Sequence, residues 1–172
     1  MQSPINAHDK LALGWRARVP MVLQTEAAEC GLACLAMLCG YHGAATEISE
    51  LRRRLSVSLK GVNLADLVGM AERVGFASRP LRLELDELSE LRLPCILHWD
   101  MNHFVVLKSV GRDSVVIHDP AVGVRRLPMA AVARQFTGVA LELTPTGTFE
   151  PAQGAPRVRV RSVLGRMVGL KG

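Results

Sequence analysis

Between Gly31 and Cys39 nearly every residue is small or apolar, and the run before it, QTEAAE, is mostly polar; the switch predicts a helix that begins at Cys30 and stops at Gly40. Two more helical patterns follow. Thr46 can cap EISELRRRL, where Ile48, Leu51 and Leu55 recur at helical spacing, and Asn63 can cap a helix whose Leu64, Leu67, Val68 and Ala71 share one face and which Gly75 ends. Beyond Gly75 the texture becomes strand-like. FASRPLRL reads as a strand broken or edged by Pro80, DELSELRL as a short helix or turn, and CILHW, HFVVLKSV and SVVIHD as three strands joined at residues 100–102 and 111–113. VRRL, a short helix near Pro128 to Phe136 and a closing strand VALEL complete the pattern. Helices first and antiparallel sheet second predict an α+β domain.

The ends have a different texture. Residues 1–18 show no sustained period and read as a flexible arm, the folded domain spans 19–144, and 145–156 has the proline and glycine content of a linker. Residues 157–172, RVRVRSVLGRMVGLKG, are basic and amphipathic, too short to cross a bilayer but suited to lying on one or leading into a membrane segment. No signal peptide or apolar run of membrane length is present, which predicts a soluble, cytoplasmic chain.

The 172 residues carry a net charge of +5. Aromatic content is only 4%, and no nucleic-acid reading motif accompanies the charge, so nucleic acid is not an expected partner. No Gly-rich phosphate loop is present, so ATP binding by that loop is not expected. The four cysteines, at 30, 34, 39 and 95, do not suggest a disulfide framework: three share one helix, and a reducing compartment is the simpler reading.

Thiol chemistry is the strongest candidate activity. A cysteine nucleophile needs a thiolate, a base, a group that orients the base and donors for an oxyanion. Cys30 at a helix N-terminus meets unpaired backbone N–H groups and the positive end of the dipole, which favour a thiolate. His103 opens one strand and Asp119 closes the strand returning beside it; with a loop of 111–113, Val110 pairs with Ser114, His103 faces Ala121, and Asp119 becomes its diagonal neighbour on the same face. A two-residue loop would place Asp119 on the other face. Cys34, Cys39 and Cys95 read as packing thiols, and His98 and His118 as weaker candidates for lining the cleft. A zinc site of Cys30, Cys34, Cys39 and His42 is the competing chemistry, but Cys34 and Cys39 point to different sides of one helix. No metal and no cofactor is expected.

QTEAAECGLACLAMLCGYHG, NHFVVL and HDPAVGVRRL together resemble the bacteriocin-processing cysteine peptidases, the double-glycine leader peptidase domains of peptide-exporting ABC transporters. The resemblance covers about Val19 to Thr144. It implies a papain-like fold, cleavage of a precursor peptide after Gly-Gly, Cys30 as nucleophile, His103 as general base and acid, Asp119 as its orienting carboxylate and Gln24 as side-chain oxyanion donor. Glu29 stands where aspartate is frequent. The leader of such a precursor is an amphipathic helix, and Leu64, Leu67, Val68 and Met70 are the residues expected to receive it. Membrane and ATP-binding domains of the same transporter would be further partners, the full protein a homodimer and the domain on the cytoplasmic side of the inner membrane. A docking domain that binds cargo without cutting it is the alternative.

Overall fold

The computed structural model describes residues 18–55 and 61–151. Most of the expected N-terminal arm, and all of the basic tail, lie outside these residues. A 3-10 turn, Ala27–Glu29, runs directly into α1 (Cys30–Tyr41), followed by α2 (Ile48–Leu55) and α3 (Leu64–Arg73). Every residue from Cys30 to Cys39 is buried. A helix apolar on all sides has to lie inside the domain, and α1 packs between α2 and α3 and the sheet.

Helix entry is local chemistry. At α3 the Asn63 side chain accepts the Asp66 N–H at 2.9 Å while the Asp66 carboxylate accepts the Asn63 N–H at 3.1 Å, a reciprocal cap. At α2 the Thr46 hydroxyl instead donates to the Ala44 carbonyl at 3.1 Å, and the Glu47 carbonyl takes the first helical N–H groups, so entry comes one residue later than the expected cap. Gly75, at φ +92°, closes the helical half; a Cβ there would stand 2.6 Å from the Phe149 backbone, so only glycine fits.

Six strands make one antiparallel sheet: β1 (Phe76–Arg82), β2 (Cys95–Trp99), β3 (His103–Val110), β4 (Ser114–Asp119), β5 (Gly123–Pro128) and β6 (Phe136–Pro145), in the spatial order β1-β6-β2-β3-β4-β5. Pro80 is tolerated because β1 is an edge. The sheet divides the core. Ile96, Phe104, Val106 and Leu141 face the helices, while Leu97, Trp99, Val105, Leu107 and Ile117 pack under the 3-10 segment Leu85–Glu90 and α4 (Met129–Gln135). Both faces of β3 are therefore buried, which is why HFVVL reads as a continuous apolar run. Beyond β6, Thr146 donates to the Gly75 carbonyl at 2.7 Å and the Phe149 ring lies 4.7 Å from that of Phe76. No described helix is long and apolar enough to cross a membrane.

The β3–β4 register differs from expectation at the turn and agrees with it at the other end. Val110 pairs with Val115, not Ser114, and Gly111 N–H bonds the Ser114 carbonyl at 2.8 Å across the loop. Continued unchanged, that pairing would turn Asp119 away from His103. A bulge at Lys108 absorbs the odd residue: Ser109 pairs with Val116 but Leu107 with Ile117, and Val106 with His118. Extended beyond Val106–His118, the corrected register runs His103 toward Ala121, as the parity argument requires.

Candidate active site

The Cys30 side comes from the turn before α1. Gln24 N–H donates to the Pro120 carbonyl at 2.9 Å, which ties this turn to the residue after Asp119. The Gln24 side-chain oxygen is buried and has no hydrogen-bond partner among the described residues. Cys30 then stands as the first residue of α1 and lines a cleft of about 950 Å³ with Ala28, Val62, Leu64, His98, Met101 and Phe104.

The base side comes from the hairpin. His103 Nε2 meets Asp119 Oδ1 at 2.8 Å, leaving Nδ1 for the thiol side. Asp119 is itself buried and fully engaged: Oδ1 also accepts Ala121 N–H at 2.9 Å, and Oδ2 accepts Arg125 Nη1 at 3.3 Å. Burial opposes its ionisation, but the hydrogen bonds from His103 and Ala121, the His103 charge and Arg125 outweigh burial and hold the carboxyl below its ordinary range. For His103, burial favours the neutral ring; the Asp119 hydrogen bond, the adjacent Cys30 and the charges of both prevail and push its pKa up to about 9. At neutral pH the ring thus carries both protons beside the Cys30 sulfur. A carboxylate, an imidazolium and a cysteine sulfur in sequence, the sulfur lining a cleft, are equipped for acyl transfer.

The remaining thiols are not so equipped. Burial pushes Cys34 well above its ordinary range, with the Cys30 and Asp119 charges adding to it, and burial drives Cys39 and Cys95 to about 12.

The Peptidase C39 family matches residues 18–148. The chain belongs to the Peptidase C39 family. It is 49% identical over 163 residues to the probable microcin-H47 secretion/processing ATP-binding protein of Escherichia coli, covering 95% of this chain and 23% of that protein. Against the colicin V secretion/processing ATP-binding protein of Escherichia coli the identity is 50%, over 94% of this chain and 23% of the relative. The chain thus spans 23% of the length of these relatives. Among solved structures, a double glycine motif protease from an AMS/PCAT transporter, in complex with the leader peptide, superposes with a TM-score of 0.70 at 38% identity, covering 78% of this chain and 96% of that one. The peptidase domain of Streptococcus ComA gives 0.69 at 26% identity, over 75% of this chain and 100% of the other. The expected papain-like α+β fold is therefore the observed one.

Within this C39 domain the structure brings Cys30, His103 and Asp119 together and places Gln24 against the Asp119 turn. The expected leader-binding residues fare unevenly. Leu64 lines the cleft, but Leu67 is fully buried beneath Gly31, and Val68 packs onto the helical core. Met70 is buried at the edge of a smaller adjoining groove. The apolar stripe of α3 is thus divided: Leu64 both packs on the helical core and lines the cleft, while Leu67 serves packing. His98 lines the cleft, whereas His118 is buried and its Nδ1–H donates to the Pro20 carbonyl at 3.3 Å. Cys30, Cys34, Cys39 and His42 do not converge, and no group of three metal-ligand side chains is found among the described residues. Sequence reasoning missed Arg125 as a partner of Asp119 and Arg52 as a partner of Glu29. Neither pairing has a local signal, since one crosses a strand turn and the other joins two helices.

Proposed function

We propose that this C39 domain is an active cysteine endopeptidase that cuts a precursor peptide after a Gly-Gly pair. One observation carries the reading: His103 is held on Asp119 at 2.8 Å with its ring beside Cys30, and Cys30 lines the cleft. The Cys30 thiolate attacks the carbonyl carbon of the second glycine. The oxyanion takes hydrogen bonds from the Cys30 backbone N–H and the Gln24 carboxamide, and His103 passes its proton to the leaving amine as the C–N bond breaks. Water then enters, His103 removes its proton, and the thioester is hydrolysed to release the leader and restore the thiol. Glycine at the cut suits a site too narrow beside the scissile bond for any side chain.

The leader-bound relative supports a leader peptide as the partner; in this proposal the leader lies as a helix along the cleft beside Leu64, Val62 and Phe104. The names of the curated relatives, secretion/processing ATP-binding proteins, support an ATP-driven exporter as the rest of the protein; the homodimer and the place of this domain on the cytoplasmic side of the inner membrane are part of the proposal. In that setting 157–172 serve as the approach to the membrane, and the linker expected at 145–156 begins only after the stretch to Phe149 that packs on Gly75 and Phe76. Incubating the domain with a Gly-Gly precursor, beside Cys30→Ala, tests the core of this reading. Mass spectrometry is expected to find a single cut after the second glycine with the unmutated protein alone. Binding without cutting by the unmutated protein would leave a cargo-docking domain instead.

A further inference from the structure

Glu29 precedes Cys30 and is almost completely buried, at 4% exposure. Its carboxylate closes the run between Gln24 and Cys30. Oε2 accepts the backbone N–H groups of Thr25 and Glu26, both at 3.1 Å, and these are the two residues that follow Gln24. Oε1 accepts Arg52 Nε at 2.7 Å and a second nitrogen of the same guanidinium. Burial works against its ionisation, yet Arg52 and the two backbone donors keep its carboxyl below the ordinary range. So a buried negative charge sits one residue from a sulfur that must also become negative.

Arg52 lies on α2, and the cleft wall at Gly61 and Val62 follows that helix in the chain. The wall meets the same turn from the other side: a Cβ on Gly61 would lie 3.9 Å from Ala28 Cα. One ion pair therefore joins the nucleophile turn to the helix ahead of the wall.

We infer that Glu29 and Arg52 are a positioning pair: Glu29 sets Cys30 against Gln24, and Arg52 cancels the carboxylate charge that would otherwise oppose the thiolate and the oxyanion. The inference rests on Cys30 being the nucleophile. A backbone cap alone would need no arginine, because Thr25 and Glu26 satisfy Oε2 without it. The bidentate guanidinium is directed at the oxygen left over. Removing Arg52 alone leaves an uncompensated buried charge, whereas removing both charges does not.

This asymmetry is the test. Cys30 is alkylated with iodoacetamide at neutral pH in the folded domain, where the three other thiols are buried with raised pKa values and do not compete. Arg52→Met is expected to slow alkylation about tenfold and to lower kcat on a Gly-Gly precursor by about as much, with KM within about twofold. The double variant Glu29→Gln with Arg52→Met is expected to recover most of both rates, since the carboxamide introduced in place of Glu29 still offers an oxygen to the two backbone donors. A merely structural role would move the thermal midpoint of both variants and leave alkylation of the folded protein unchanged. Folded R52M alkylating at the unmutated rate, or a double variant as slow as R52M, would overturn the inference. Should R52M not fold, Arg52→Lys gives up the two-nitrogen grip but keeps the charge, and because the inference rests on the charge, alkylation is expected to stay within about threefold of the unmutated rate; a tenfold fall in the folded variant would overturn it equally. Alkylation needs no precursor, so an unmutated protein that cuts nothing would sink the peptidase reading while this comparison still decides the pair.

Discussion

Cys30 and His103 arrive at one point from opposite kinds of structure: the thiol rides on the first turn of a buried helix, and the imidazole on the open end of a hairpin whose other end is a solvent-exposed loop. The helix start is specified by neighbours within a few residues, with Glu29 bonding Thr25 and Glu26 across the turn. The hairpin is specified from a distance. Its loop closes with the wrong parity, and the Lys108 bulge puts it right because Phe104 and Val106 must face the helices while Val105 and Leu107 face the other way. Buried faces thus outrank the turn in setting the register. The two parts are joined where Gln24 N–H meets the Pro120 carbonyl.

The largest expected effects remove one partner of the pair. Cys30→Ala and His103→Ala are each expected to lower kcat/KM by about 10⁴-fold or more, and the double variant to lose little beyond either, because the two act as a unit. Independent, multiplying losses would mean that thiol and imidazole do not work together. Gln24→Ala, on the helix side alone, is expected to lower kcat by about 10²-fold with KM little changed, as for removal of one oxyanion donor.

Next in size is the pH response, which belongs to the hairpin. Because the folded His103 pKa is raised to about 9, above the usual imidazole value of 6.5, its charged form stabilises the fold fully below 6.5, and that contribution is lost as pH rises through 9. Cleavage is expected to share that limb, falling above pH 9 as the imidazolium loses its proton. Part of the shift comes from Cys30, so an NMR titration of Cys30→Ala is expected to find His103 titrating lower than in the unmutated protein. An unchanged value would separate the two halves electrostatically.

The smallest expected effect is deletion of Lys108. Removing the bulged residue leaves Leu107–Ile117 and Ser109–Val116 as successive pairs of a regular ladder, with the extended register still running His103 toward Ala121. Activity is expected within about threefold and stability within about 1 kcal/mol, since the residue is exposed and the buried pairs are kept. A folded deletion variant without activity would show that the bulge itself aims His103.

Much of this arrangement is legible along the chain. The Asn63 cap, the period of α2, the glycine that closes α3 and the edge proline of β1 each express a preference that acts over a few residues. The proposed triad is legible for a different reason, because two strand ends and one helix start carry the right residue types in three separated motifs. The leader groove is less legible. Leu64 and Leu67 look equivalent in the stripe of α3, yet one lines the cleft and the other is sealed beneath Gly31, and only the position of α1 distinguishes them.

The sequence by itself determined the element types, the helix that presents Cys30, and the parity that a working His103–Asp119 pair demands. Capping, periodicity and alternation are short-range properties of the backbone, so they can be read without knowing what lies across the molecule. Tertiary structure alone decided how that parity is reached, which thiols are sealed by burial, that Arg125 shares Asp119, and that Arg52 neutralises Glu29. These depend on residues brought together over long stretches of chain by burial on both faces of one sheet, a requirement of the whole core that no local window contains.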